Sequence, residues 1–217
     1  MSIVLPVGYG DKYFSIALAC ALSQTHSPIE IILLDNSPAP IRHLVPMDVR
    51  IRYVRCERST IGALRNKGNG LARGNVLAHW DEDDWYSNDR VAVQLERLRR
   101  SGRAVTGWHT LLYHNTADGT CHRYRYAAMP PYAVGTSLTY LRSWWLAHPL
   151  PEIAKGEDYY FQLESAQAGQ LDSTDSGQLG VARAHRDSTC PPLFGSGQFP
   201  VIPHTALPDA FWQAMHP

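Results

Sequence analysis

The chain has 217 residues, 44% of them hydrophobic and 18% charged, enough to bury a substantial core as one large or two small domains. Its 20 Lys and Arg balance 20 Asp and Glu, with a pI near 7.1, which leaves no global electrostatic case for nucleic acid or anionic membranes and makes any phosphate binding local. The four cysteines, Cys20, Cys56, Cys121 and Cys190, form no CxxC pair, which argues against zinc or a redox motif and for ordinary thiols in a reducing compartment.

The first hundred residues alternate strand and helix patterns. Residues 3–7 are an apolar run with Pro6 inside it, too short for a signal peptide or a membrane span, so a cytoplasmic location is the default expectation. With Ser2 the run reads as a strand, Gly8, Tyr9 and Gly10 as a turn, and Phe14, Ala17, Leu18, Ala21 and Leu22 as a helix. A second strand over residues 29–34 ends in Asp35, Asn36, Ser37 and Pro38, each a turn former for a different reason. A third strand is expected over 50–55, a helix over 60–72 with Ile61, Leu64 and Leu71 on one stripe, and a fourth strand from Asn75. This alternation predicts a mainly parallel sheet, whose ligands bind beyond the carboxyl ends of the strands. Three polar clusters fall at those ends: residues 8–11, residues 35–37 and the run Asp81, Glu82, Asp83, Asp84.

The acidic run is the most informative of the three. Four successive carboxylates repel one another, and a strand end is a costly place to hold them without a cation. A solvated turn before a helix capped by Asn88 is one explanation. The other is a magnesium or manganese site, since the adjoining Trp85 and Tyr86 imply partial burial of hard oxygen ligands.

After a helix over 88–100, with Val91, Leu95 and Leu98 inward and Gly102 as its stop, the pattern becomes less regular. Residues 104–114 and 121–126 read as antiparallel strands joined by Asp118 and Gly119. A loop at 129–132 precedes a strand and helix within 134–146, and Lys155, Gly156, Glu157 and Asp158 open a helix that Gly169 closes. A strand at 180–185 leads into a proline-rich tail, expected as an ordered loop or a lid.

Five pieces in fixed order carry a family resemblance: Ile3 to Pro6 with Tyr9; Gln24 and Thr25 before Glu30 to Ser37; Gly62 with Arg65, Asn66 and Ala72 to Gly74; Asp81 to Asp84 with Asp89 and Arg90; and Gly156 to Phe161. Residues 2–189 resemble a family 2 glycosyltransferase of GT-A type. The resemblance implies an α/β GT-A domain over 1–190, with a Rossmann-like mainly parallel sheet, helices on both faces and a smaller antiparallel sheet on the acceptor side. Residues 1–102 would be its nucleotide-binding half, 103–190 its acceptor-binding half, and 191–217 a separate tail. It further implies an inverting, Mn2+- or Mg2+-dependent hexosyl transfer from a nucleotide-sugar, a UDP-sugar foremost, to a carbohydrate or glycoconjugate acceptor.

On the matching positions, Tyr9 would stack on the base and Asp35 accept from a base N–H. Arg65 and Asp81 would complete the nucleotide site, with Arg65 a positive contact for the diphosphate. Asp83 would hold the metal with Asp81 or Asp84 nearby and His185 completing the shell, and Asp158 would be the catalytic base. Glu157, Asp84 and Trp108 would contact the acceptor or support the site. In isolation these residues have plainer readings: a loop aromatic for Tyr9, an exposed helix charge for Arg65, a helix start for Glu157 and Asp158, a surface or core histidine for His185 and a core indole for Trp108. Two departures from the family pattern weaken the assignment of the base: Leu34 stands where many relatives carry another Asp, and Gly10 replaces a polar residue. No transmembrane segment follows the catalytic half, which argues for a single-sugar enzyme, with peripheral membrane contact left open and no nucleic-acid partner. A non-catalytic sugar-binding module on the same fold is the main alternative. A sugar nucleotidyltransferase is a weaker one, because residues 8–12 lack a Gly-rich basic phosphate loop.

Overall fold

The computed structural model describes residues 1–10, 12–127, 129, 131–186, 188, 192–194 and 196–215, Lys12 by its backbone alone. Cys190 and Asp11 lie outside the described residues. Cys20, Cys56 and Cys121 are free thiols, all buried.

Strand β1 (Ser2–Val7) is buried along its whole length, which is why it reads as an unbroken apolar run: it has parallel neighbours on both edges, Phe14, Ala17 and Leu18 packed on the face of Ile3, Leu5 and Val7, and Leu64 on the face of Val4. Helix α1 (Lys12–Leu22) buries Phe14, Ala17 and Leu18, and β2 (Glu30–Asp35) and β3 (Ile51–Arg55) extend the sheet in parallel. Helix α2 (Ile61–Leu71) starts where Thr60 Oγ1 accepts the Ala63 N–H at 3.2 Å. The short strands β4 (Val76–His79) and β5 (Trp85–Tyr86) then bracket the acidic run.

Helix α3 (Arg90–Ser101) ends at Gly102, whose φ of +64° and N–H to Leu98 O stop the turn. Its residue before the first turn is Asp89 rather than Asn88; the Asp89 carboxylate is engaged by Thr25 Oγ1 at 2.9 Å instead of capping the helix. Arg90 is fully buried over the rings of Trp80, Tyr86 and Trp108, at 4.5, 4.1 and 5.2 Å from their centroids.

The expected strand over 104–114 is two strands. Residues of β6 (Val105–Trp108) join the first sheet, the chain crosses over at His109, whose N–H donates to Thr174 O and whose carbonyl accepts the Tyr126 N–H, both at 2.8 Å, and β7 (Thr110–Asn115) enters a second sheet beside β8 (Cys121–Arg125). The Asp118 and Gly119 turn links β7 and β8 as expected. A 3-10 turn at Gly135–Ser137 precedes β9 (Thr139–Leu141) and α4 (Arg142–Ala147), and α5 (Glu157–Gln167) is followed by β10 (Leu171–Thr174) and β11 (Gly180–Ala184).

The larger sheet has the order β10-β6-β9-β4-β1-β2-β3, parallel except where β9 pairs with β4 and β6. The smaller sheet includes β5, β11, β7, β8 and β12 (Val201–Ile202) and is antiparallel except for β7 beside β11. The tail carries more structure than its prolines predict: β12 pairs with β8, and α6 (Asp209–Met215) sinks Phe211 into the core against Trp85. Among the described residues no helix is long and apolar enough to cross a membrane.

Candidate active site

A cleft of about 540 Å³ opens at the carboxyl ends of β1, β2 and β4, and Tyr9, Arg65, Asp81, Asp83, Asp158 and Arg183 are on its walls. A smaller hollow of about 390 Å³ adjoins it at the ends of β2 and β3 and shares Asn36, Pro38 and Arg58 with it. The fold thus brings together the three polar clusters at the strand ends, with Asp158 carried in from α5 across the cleft.

The four carboxylates of the acidic loop have separate surroundings. Asp81 forms an ion pair with Arg65 Nη2 at 2.8 Å. Partial burial raises its carboxyl above the ordinary range, Arg65 opposing and Asp83 adding to the rise. Glu82 turns toward β1 and accepts the backbone N–H groups of Gly8 at 2.6 Å and Gly10 at 2.9 Å, with that of Tyr9 at 3.2 Å. Burial pushes it up to about 7 despite those donors. Asp84 is buried, accepting Thr136 Oγ1 at 2.9 Å, Tyr86 OH at 3.2 Å and Arg183 N at 3.1 Å, and burial beside Asp83 and Asp81 drives it to about 8. Asp83 keeps a side chain open to the cleft, and its Oδ2 lies 2.8 Å from His185 Nε2.

The pair of a carboxylate oxygen and an imidazole nitrogen fits a borderline-hard divalent cation. No cluster of three or more His, Cys, Asp or Glu among the described residues forms a complete metal cage, so the pair would need further ligands from substrate or water. Arg183 braces the same corner: its Nε donates to Asp83 O and its guanidinium lies 4.4 Å over the Tyr13 ring. Its buried Nη2 has no hydrogen-bond partner among the described residues.

Asp158 sits in the first turn of α5, half-buried, with Oδ1 accepting the Tyr159 N–H at 2.9 Å. Its carboxylate rests on Gly135, where any Cβ would occupy its position. The Gly135 carbonyl in turn accepts from His79 Nδ1 at 3.1 Å. Burial first, then Arg65, hold His79 neutral, and since a carbonyl can only accept, Nδ1 carries its hydrogen while Nε2 takes the Tyr140 hydroxyl at 2.9 Å. One residue further, Thr136 holds Asp84. A single 3-10 turn therefore touches both the Asp158 carboxylate and the acidic loop.

Glu157 and Arg65 are both buried and paired through Arg65 Nη1. Burial pulls the Arg65 guanidinium down, but Asp81 and Glu157 outweigh it and hold it above its ordinary value. Arg65 is accordingly a clamp between Asp81 of the acidic loop and Glu157 of α5. Its guanidinium meets carboxylates here, where the sequence suggests a diphosphate contact.

Tyr9 stands 64% exposed at the mouth of the cleft, free of the core packing that is its plainer reading. Asp35 differs from expectation. It is fully buried: Oδ1 takes Ser37 N at 3.0 Å, Ser37 Oγ and Arg55 Nη1 at 2.8 Å, while Oδ2 takes Ile41 N at 3.0 Å and Tyr53 OH. These five donors fill the acceptor capacity of a carboxylate, so Asp35 shapes the loop after β2 and has no lone pair directed at a base. Trp108 is also corrected: at 1% exposure it packs on Arg90 and against Gly180, and it offers no face to an acceptor.

Arg183 and the turn Gly135–Ser137 build the cleft and escaped the sequence reading, as did the hold of Glu82 on residues 8–10. Arg183 has a signal, since it lies two residues before His185 on a strand. The turn has none, because Gly, Thr and Ser between apolar residues carry no periodicity.

Residues 2–145 match the sequence family described as "Glycosyl transferase family 2", a match over more than half of the chain. The chain belongs to that family. Relatives include EpsH of Bacillus subtilis, 34% identical over 94 residues that cover 41% of this chain and 27% of EpsH. The glycosyltransferase GlyA of Streptococcus pneumoniae is 28% identical over 103 residues, 45% of this chain and 15% of GlyA. This chain therefore matches only a minor part of the length of those relatives. Among solved structures, S. aureus TarS 1-349 in complex with UDP-GlcNAc superposes with a TM-score of 0.69 at 13% identity, over 86% of this chain and 59% of that one. The GT-A glycosyltransferase fold expected from the sequence is thus the fold observed, mainly parallel sheet and smaller antiparallel sheet included.

Proposed function

We propose that the protein transfers one sugar from a nucleoside diphosphate donor, a UDP-sugar foremost, to an acceptor hydroxyl with inversion at the anomeric carbon. The observation that carries this reading is the convergence of Asp158 and the Asp83–His185 pair on one cleft of a glycosyltransferase fold. The UDP-GlcNAc bound by TarS supports a uridine donor.

Asp83 and His185 would hold manganese or magnesium, which when bound supplies Lewis-acid neutralisation of the diphosphate. Tyr9, exposed at the cleft mouth, stacks on the nucleobase. Asp158, fixed over Gly135, accepts the proton of the acceptor hydroxyl as its oxygen bonds to the anomeric carbon. The bond from that carbon to the diphosphate oxygen breaks on the opposite face, and the nucleoside diphosphate leaves with the electron pair. Arg65 keeps the two sides in register by gripping Asp81 and Glu157 together.

The test incubates the protein with UDP-, GDP- and dTDP-sugars, manganese and simple glycoside acceptors, and reads nucleotide release and the anomeric configuration of the product. Asp158→Asn should lower transfer by about 10² to 10⁴ while nucleotide affinity stays near wild type. Transfer by that variant near the wild-type rate would remove the base assignment. Nucleotide binding without turnover by the wild type would favour a binding module on the same fold.

A further inference from the structure

Glu82 is the member of the acidic run that binds the loop after β1, and its surroundings are specific. Its two carboxylate oxygens receive three successive backbone N–H groups, from Gly8, Tyr9 and Gly10, at 2.6 to 3.4 Å. Successive N–H groups turned to one side of a loop form a concave cradle for an anion. Here the cradle is filled by a side chain 72 to 74 residues distant in sequence. The loop can curl this way because Gly10 adopts φ +61°, a conformation that side chains rarely tolerate, and because a Cβ there would lie 2.5 Å from Ile41 Cγ2. The middle residue of the cradle is Tyr9, whose ring has no core packing to fix it and is 64% exposed. The backbone hold is therefore what sets the direction of the ring. The same Glu82 is flanked by Asp81 and Asp83, so any movement of the cation-facing loop is passed to the loop that bears Tyr9.

We infer that Glu82 is a positioning residue for donor binding: its carboxylate fixes the residue 8–10 loop so that Tyr9 meets the nucleobase, and ties that loop to the diphosphate side of the cleft. The inference rests on the glycosyltransferase reading and adds a residue which acts through Tyr9 without touching the donor. Glutamine is the informative replacement, because it keeps the size of the side chain but presents one acceptor and one NH2 group to three N–H donors.

The experiment is calorimetric binding of whichever of UDP, GDP and dTDP the wild type takes up, in parallel with pyrophosphate, all in manganese. It compares the wild type, Glu82→Gln, Tyr9→Ala and the double variant. Glu82→Gln should weaken nucleotide binding about three- to tenfold, the range expected for a misaligned aromatic stack, and leave pyrophosphate binding unchanged. The double variant should lose no more than Tyr9→Ala alone, the signature of action through Tyr9. Gly10→Ala, which disturbs the same loop without altering any charge, should give the same nucleotide-selective loss, and it substitutes for Glu82→Gln should that variant not fold.

Additive losses in the double variant, an equal loss of pyrophosphate, or unchanged nucleotide binding in Glu82→Gln and Gly10→Ala would each overturn the inference while leaving the glycosyltransferase reading in place. Failure of the wild type to bind any of the three nucleotides would overturn that reading, and the inference with it.

Discussion

Two strand ends of one sheet treat carboxylates in opposite ways. At the end of β2, a single Asp35 receives five donors, and although burial pushes its carboxyl up, the hydroxyls of Ser37 and Tyr53 and the backbone N–H groups outweigh it and hold it below the ordinary range. At the end of β4, each of four successive carboxylates has fewer donors, three at most, and Asp81, Glu82 and Asp84 are all held above theirs, by burial first. The first arrangement is complete in itself and serves the fold. The second is under-compensated, the condition expected of a site built to receive positive charge. Both carry aspartate at a strand end, so residue type and position alone do not tell them apart; the donor count does.

The contrast is sharpest under substitution. Asp35→Ala should destabilise the protein by about 3–5 kcal/mol, because it leaves buried donors and the Arg55 guanidinium without their partner. Urea unfolding checks this, and a loss below about 1 kcal/mol would show that the loop after β2 does not depend on that carboxylate. Asp83→Asn should act in the other direction. With no divalent cation present it removes a charge from a repelling group, raising stability by on the order of 1 kcal/mol, about 2–4 °C in Tm. Manganese should raise the Tm of the wild type and not that of the variant. A Tm lowered by Asp83→Asn in the presence of a chelator would break the comparison, since Asp83 would then be structural like Asp35.

The smallest effect belongs to a surface pair that serves as a reference. Arg50 hydrogen-bonds Asp48 and lowers it to about 2. A carboxyl depressed on folding gives stability that is present above its unfolded pKa and is lost as pH falls through the folded one. Asp48→Asn should therefore flatten the acid limb of stability between about pH 4 and 2, by less than about 1 kcal/mol because the pair is partly solvated. An acid limb unchanged in that window would assign the loss to other carboxylates.

How far the sequence carries this account differs between the two halves. In the first hundred residues every expected strand and helix falls within one or two residues of its place, the two-residue β5 alone among the strands being unforeseen, since strands such as β1, buried on both faces, are apolar throughout and the helices show a clear stripe. In the second half the chain leaves one sheet at Trp108 and enters the other at Thr110, and with strand-forming, buried residues on both sides of His109 nothing in the pattern marks the crossing. Strand β10, which reads Leu171, Asp172, Ser173 and Thr174, is short and polar and gives no strand signal.

The site divides similarly. The acidic run was legible from residue type and position, Asp158 and His185 only through the family resemblance, and the fold brings Asp158 and the acidic run to one cleft with His185 against Asp83. What each does to its neighbours was not. Asp35 binds its own loop, Arg65 joins two carboxylates, and Glu82 holds the backbone loop at the end of the neighbouring strand β1. The contacts of Arg65 and Glu82 are long-range, and those of Asp35 depend on how its loop folds back; composition and periodicity encode neither.

Under the proposed function, the acidic loop and His185 form a cation-dependent donor site. This is tested most directly by calorimetric titration of UDP, GDP and dTDP into the protein with and without manganese, beside an Asp83→Ala control. The account predicts binding of one nucleotide that requires manganese and is lost in the control. Equal binding with and without the metal, or undiminished binding by Asp83→Ala, would contradict it.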